Sequence, residues 1–404
     1  MNISAIISEY NPLHKGHMYH IKRTKEITDS DVIICIMSGN YVQRGIPALI
    51  DKWNRTKTAL QCGIDLVIEL PVIYSLSSAE FFSFGAVSLL NSLGVDNLSF
   101  GSEIGDIAFI NKISNILFNE QTEFKEKLKA YLSNGFSFPK SRNLALTDFL
   151  LSYDTSINAS LSNSLNSSNN ILGIEYCKSL LRLQSNIKPF TIKREGSSYN
   201  DTSLDALFSS ATSIRKHIKE QMDITTLSHH MPLESYNNIQ ALKNNSYNFV
   251  CEDSIFPFIK YKSFFSRHSL SNLPDASEGL HNKIYDGLQK TNNYNDLIKS
   301  IKSKRYTYTR ISRILCQYFV GFENYETDVL RNQKCPYCTV LGFNETGKKV
   351  LKLIKQNSEI PIYTKVPKKA DSILELDIKA TQSYSLINTF INSNDDYLIS
   401  PIIL

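Results

Sequence analysis

The sequence predicts an α/β protein, a doubly wound parallel sheet followed by a mostly helical C-terminal part. Three observations carry that reading. Apolar runs of strand length alternate with capped helical stretches through the first quarter of the chain. The connections between them are short, which favours parallel β–α units. From about Met222 onward the pattern turns helical and polar, without a clear phosphate-binding loop. The expected division is therefore a nucleotide-binding catalytic domain over residues 1–221 and a helical domain over 222–404.

Taken in order, Ile3-Ser4-Ala5-Ile6-Ile7-Ser8 reads as a buried strand and residues 18–27 as an amphipathic helix. A second apolar run, Val32 to Met37, ends in the polar loop 38–45, and the segment 38–50 is a candidate lid that would keep water from a reactive intermediate. Asp51 caps a helix through Gln61 that closes at Gly63, and Leu66-Val67-Ile68-Glu69-Leu70 is a third strand stopped by Pro71. Ser77 or Ser78 caps residues 79–92, and Asn97-Leu98-Ser99-Phe100 is a fourth strand ending at Gly101. Helical patterns fill 106–153, a Ser- and Asn-rich loop or lid spans 152–170, and a helix covers 170–183. Residues 187–194 then suit a fifth strand, and 209–216 open another hydroxyl-capped helix. Two late segments, 339–342 and 360–365, suggest short strands. Ligands of such sheets sit beyond the carboxyl ends of the strands, where the loops from Glu9, Ser38, Pro71 and Gly101 converge.

Composition limits the function classes. With 44 basic and 39 acidic residues among 404, bulk charge does not announce a nucleic-acid partner, so such a partner must be argued from local clusters. No signal-peptide pattern opens the sequence and no stretch approaches a membrane span, so the expected setting is cytoplasmic, without membrane contact. Seven cysteines, most of them isolated, suggest reduced thiols. Cys335-Pro336-Tyr337-Cys338 is a lone CxxC without a second pair or nearby histidine, so no metal site is expected from protein ligands.

The richest stretch is YNPLHKGHMYH, residues 10–20. His14 and His17 lie three apart where a strand gives way to a helix, so both can face one ligand. The helix start offers free N–H groups and a positive dipole end, Gly16 permits close approach, and Pro12 stiffens the turn. Such a place suits a triphosphate and nucleotidyl transfer, although histidines that merely cap a helix remain open here. Ser209 to Arg215 offers either a plain Ser/Thr cap with a solvated arginine or a second anion site, in which Ser210 and Thr212 supply hydroxyls and Arg215 a guanidinium one turn in. Lys193 and Arg194 end the fifth strand at the same edge, and Gly101 leaves room for a flat adenine. Asn169 and Asn170 can bind a base or ribose edge, or cap the helix that follows. The basic, aromatic run 302–313 can track an RNA backbone, with Tyr306 and Tyr308 available to stack on bases.

Together these residues resemble a known family. His14–His17 and Ser209–Arg215 are similar to the two signature motifs of the HIGH-superfamily nucleotidyltransferases, which have a Rossmann-like fold. The runs 37–45, 51–53, 67–71, 77–80, 98–103, 170–176 and 305–310 narrow the resemblance to the bacterial tRNA(Met) cytidine acetate ligases, over nearly the whole chain. That resemblance implies activation of acetate by ATP, with Mg²⁺, to acetyl-adenylate. It also implies acetyl transfer to the wobble cytidine of elongator tRNA(Met), giving N4-acetylcytidine, AMP and pyrophosphate. It places ATP on Ile7, Ser8, Glu9, Tyr10, Asn11, Pro12, Leu13, His14, Lys15, Gly16, His17, Met18, Tyr19 and His20, with Gly101, Asn169 or Asn170, and Arg194. His14, His17, Arg194 and Arg215 are the expected catalytic groups. Lys15 departs from the family's usual neutral residue, and Cys335 and Cys338 stand where it needs none. The alternatives are a small-molecule adenylyltransferase and an RNA-binding protein regulated by a nucleotide. The helical second half and the basic cluster argue against the first.

Overall fold

Ten strands occur among the residues described in this computed structural model, which are 1–153, 165, 167–194, 209–220 and 223–404. They are β1 (Ile3–Ser8), β2 (Val32–Ser38), β3 (Tyr41–Val42), β4 (Ile46–Pro47) and β5 (Leu66–Leu70), then β6 (Asn97–Ser102), β7 (Lys188–Lys193), β8 (Cys338–Phe343), β9 (Ile362–Tyr363) and β10 (Ile402–Ile403). The main sheet runs β10-β8-β5-β2-β1-β6-β7, with β9 beside β8. All five strands expected from the first half are present, and they pair in parallel as β5-β2-β1-β6-β7. Register is set by burial: β2 is enclosed along its whole length, so neither of its faces tolerates a slip.

The expected boundary at 221/222 does not divide the sheet. Strand β8 pairs antiparallel with β5 and carries β10 in parallel on its far edge. The late strand hints at 339–342 and 360–365 correspond to β8 and β9. The second half is otherwise helical, led by the helices Leu280–Lys290, Tyr308–Val320, Glu345–Asn357 and Ser372–Ser385. No helix among the described residues is long and apolar enough to cross a membrane.

Two helices position the site. Helix α1 (Lys15–Thr28) follows β1, and α2 (Lys52–Gln61) starts at Asp51, whose carboxylate accepts from the Trp53 and Asn54 N–H groups at 3.0 and 2.9 Å. Arg55 on α2 donates to the carbonyls of Glu9, Ser38 and Ile50, tying together the ends of β1 and β2.

The segment 38–50, one of two candidate lids, is pinned in place. It folds as the β3–β4 hairpin, and its residues are almost all buried. Gln43 N–H donates to Glu9 Oε1 at 3.0 Å, Leu49 N–H to Asn11 Oδ1 at 2.9 Å, and the Cys316 thiol to the Gly45 carbonyl at 3.1 Å. Gly45 has φ +80, and an added Cβ would lie 2.2 Å from Arg313 N, so this turn rests directly on the helix Tyr308–Val320. The other candidate lid falls largely on 154–164 and 166, outside the described residues, as does the loop 195–201.

Candidate active site

One cavity of about 620 Å³ opens at the carboxyl edge of the parallel strands. Its walls include Ile7, Ser8, Glu9, Tyr10, Asn11, His14, Gly16, His17, Tyr19 and His20 from the first β–α junction. Gly101, Asn169, Arg194, Ser209 and Arg215 also line it, so with the first junction five separate stretches of sequence meet there. Its far end is walled by Asp275, Arg305, Thr307, Thr309, Arg310 and Arg313. The phosphate-site residues and the basic cluster, read separately in the sequence, thus face one space.

The two histidines do cap their helix, and capping fixes their chemistry. His14 is the N-cap of α1; its Nδ1 accepts from the Gly16 N–H at 3.1 Å, while His17 Nδ1 accepts from the His14 N–H at 3.2 Å. An acceptor Nδ1 leaves the proton of a neutral ring on Nε2. The rings stack with centroids 3.8 Å apart, so two N–H donors lie side by side. Burial first, then Arg194 and Arg215, holds His14 down at about 3, and His17 is pushed well below its ordinary value by burial and by His14. His20, one turn on, is lowered to about 4 by burial and Arg194. All three are neutral donors at pH 7. Gly16 lies close under the His14 ring: an added Cβ would sit 3.0 Å from His14 Cε1, so the ring would have to shift.

Arg215 sits on the helix Ala211–Lys219, whose N-cap Ser210 accepts from the Ser213 N–H at 3.0 Å. Its guanidinium donates to the Asn11 carbonyl at 2.7 Å and to Thr212 Oγ1 at 3.2 Å, which locks the helix start against the β1 loop. Ser210 and Thr212, the expected phosphate hydroxyls, are thereby used as helix cap and arginine partner and do not line the cavity; Ser209 does. The asparagine pair splits in a similar way. Asn170 is buried, its Oδ1 accepting from the Glu103 and Ile104 N–H groups at 2.9 and 3.2 Å, whereas Asn169 faces the cavity and donates to Glu103 at 2.7 Å. Pro12, Leu13, Lys15 and Met18 also lie off the cavity wall; Leu13 and Met18 pack in the apolar cluster beneath it, with Ile21 and Ile33.

Tyr306 corrects the RNA-stacking expectation. It is 5% exposed and donates to the Glu278 carbonyl at 2.7 Å, so its ring belongs to the core, while Tyr308 is 39% exposed. Arg142 is a wall residue that no motif signalled; its ion-pair partner Glu175, within the run 170–176, also lines the cavity. Glu9 lies at the mouth, its carboxyl raised by burial against the opposing pull of Arg44 and Arg215. All seven cysteines are free, and Cys335 and Cys338 are buried. Among the described residues, no group of three or more His, Cys, Asp or Glu is placed to hold a metal ion.

Comparison with known proteins bears on the same residues. Residues 1–397 match the HIGH Nucleotidyl Transferase family. Proteins named tRNA(Met) cytidine acetate ligase from Clostridium novyi and Clostridium acetobutylicum are 55% and 54% identical to this chain, covering all of it and all of themselves. The crystal structure of Thermotoga maritima TmcAL without ligand matches with a TM-score of 0.91 at 32% identity, with both chains fully covered. The same protein bound with alpha-thio ATP matches at 0.90. This chain belongs to the tRNA(Met) cytidine acetate ligases, within the HIGH nucleotidyl transferases.

Proposed function

We propose that the protein activates acetate with ATP and transfers the acetyl group to the wobble cytidine of elongator tRNA(Met), releasing AMP and pyrophosphate. The observation that carries this reading is the single cavity joining the neutral histidine pair to the arginine-rich end. In the first step an acetate oxygen attacks the α-phosphorus and pyrophosphate leaves. Both reactants are anions, so the step needs donors and positive charge already in position. His14 and His17 present their Nε2–H groups to phosphate oxygens, while Arg194 and Arg215 supply charge. Gly101 leaves space for the adenine, and Asn169 offers an amide to the base or ribose. Mg²⁺ bound with the ATP would add further positive charge against the triphosphate. In the second step the cytidine N4 attacks the acetyl carbonyl carbon, AMP departs, and N4 loses a proton. Residues from 222 onward carry the RNA contacts, and the cytoplasm supplies both ATP and tRNA.

The test is mass spectrometry of tRNA(Met) after incubation with ATP and isotopically labelled acetate. One labelled acetyl group on the wobble cytidine is expected, appearing only when both are present, with AMP and pyrophosphate formed alongside. Acetylation supported by acetyl-coenzyme A instead would overturn the proposal, as would AMP formation without any change in the RNA.

A further inference from the structure

The arginines at the far end of the cavity are not equivalent. Arg305 is 55% exposed and paired with Glu278 at 2.7 Å. Arg310 gives Nε and Nη2 to the Asp275 carbonyl at 3.0 and 2.7 Å, and Arg331 takes both oxygens of the Asp275 carboxylate at 3.3 Å. Arg313 lines the cavity beside them but forms no hydrogen bond or ion pair among the described residues, and its Nε is buried without a partner. Its backbone is nonetheless held firmly. The Gly45 turn presses on Arg313 N, and the adjacent Ser312 hydroxyl bonds the Tyr294 hydroxyl at 2.9 Å. Asp275 is the carboxylate near this guanidinium, but its carbonyl bonds Arg310 and its carboxylate bonds Arg331, so one negative charge is shared among three arginines. Burial lowers it to about 10, opposed by Asp275 and helped by Arg310 and Arg331, so Arg313 is still charged at neutral pH.

We propose that Arg313 is the anion-binding residue for the RNA strand, taking a backbone phosphate next to the cytidine that is acetylated. The triphosphate end of the cavity already has its own donors in His14, His17, Arg194 and Arg215. Arg313 lines the cavity with Arg305 and Arg310 from the basic run, and Arg305 is half-exposed to solvent. A fork of N–H donors suits a phosphodiester. An unpaired buried cation is costly to fold around, so a role in binding rather than stability explains its retention.

The inference rests on the proposed reaction, so the wild-type chain is assayed first for acetate-dependent ATP–pyrophosphate exchange and for acetylcytidine; failure there sinks the reaction before Arg313 is tested. Arg313→Met is then expected to keep exchange within about twofold while weakening binding of the tRNA(Met) anticodon stem-loop about tenfold, with a salt slope smaller by about one. Its thermal midpoint should be unchanged or higher, and Arg313→Lys should recover part of the affinity. In the wild-type protein, the stem-loop but not ATP should protect Arg313 from phenylglyoxal. A raised KM for ATP or for acetate would move Arg313 to those ligands and overturn the proposal. Unchanged RNA affinity would do so too, as would a lowered thermal midpoint with both activities lost, or protection by ATP alone.

Discussion

His14 and His17 act as a pair because the backbone uses up one nitrogen of each ring. His14→Asn keeps an acceptor for the Gly16 N–H but deletes the Nε2–H donor. Acetate-dependent ATP–pyrophosphate exchange should fall by about 10²–10³-fold, with stability changed by no more than about 1 kcal/mol in urea unfolding. The same burial sets a pH dependence. His14 and His20 stand near 3 and 4 in the folded chain, below the ordinary 6.5, so between those values the unfolded chain holds more protons. Their contribution to stability is complete above about pH 6.5 and is lost as the pH falls toward 4 and then 3. Each costs about 1.4 kcal/mol per pH unit inside its window. The His14→Asn variant should therefore show a shallower loss of melting temperature between pH 6 and 4. The spacing of the histidines was legible in the sequence, and so was the strand-to-helix setting. Their tautomers and neutrality were not, because these depend on ring stacking and on arginines from residues 194 and 215.

At the scale of elements, the parallel strands could be read from their apolar runs, since each is long enough to declare a pattern and is bounded by Gly, Pro or a cap. The hairpin β3–β4 and the strand β10 could not, because two residues carry no periodicity. Competition between capping and ligand binding separates Ser210, Thr212 and Asn170, held by backbone or arginine partners, from Ser209 and Asn169, which line the cavity: either use needs the same side chains at a helix start. Gly45 offers a test of the pinned loop. Gly45→Ala places a methyl against the backbone of the helix Tyr308–Val320 and forces alanine into φ +80. Unfolding in urea should show a loss of about 2 kcal/mol or more.

Across the whole molecule, a buried ionic cluster joins the sheet to the C-terminal helices. Lys52 Nζ lies 2.8 Å from Glu69 and 2.6 Å from Asp396, with all three side chains under a tenth exposed. Burial opposes the ammonium, but Asp396 and Glu69 outweigh it and hold Lys52 above its ordinary value. Lys52→Met removes the one cation between two buried carboxylates and should cost about 3–5 kcal/mol in thermal or urea unfolding. Nothing local in the sequence announces this cluster, since Asp396 reaches Lys52 only through the fold of the C-terminal part. Asp377, which accepts from the Val72 N–H at 2.6 Å across 305 residues of sequence, makes a second contact of this kind. The feature has a consequence in time. As the chain leaves the ribosome, β5 and Lys52 emerge well before β8 and Asp396. Throughout that interval the β5 edge stays open to wrong partners. A chain still being made is therefore most exposed to misassembly at the strand that borders its nucleotide-binding half.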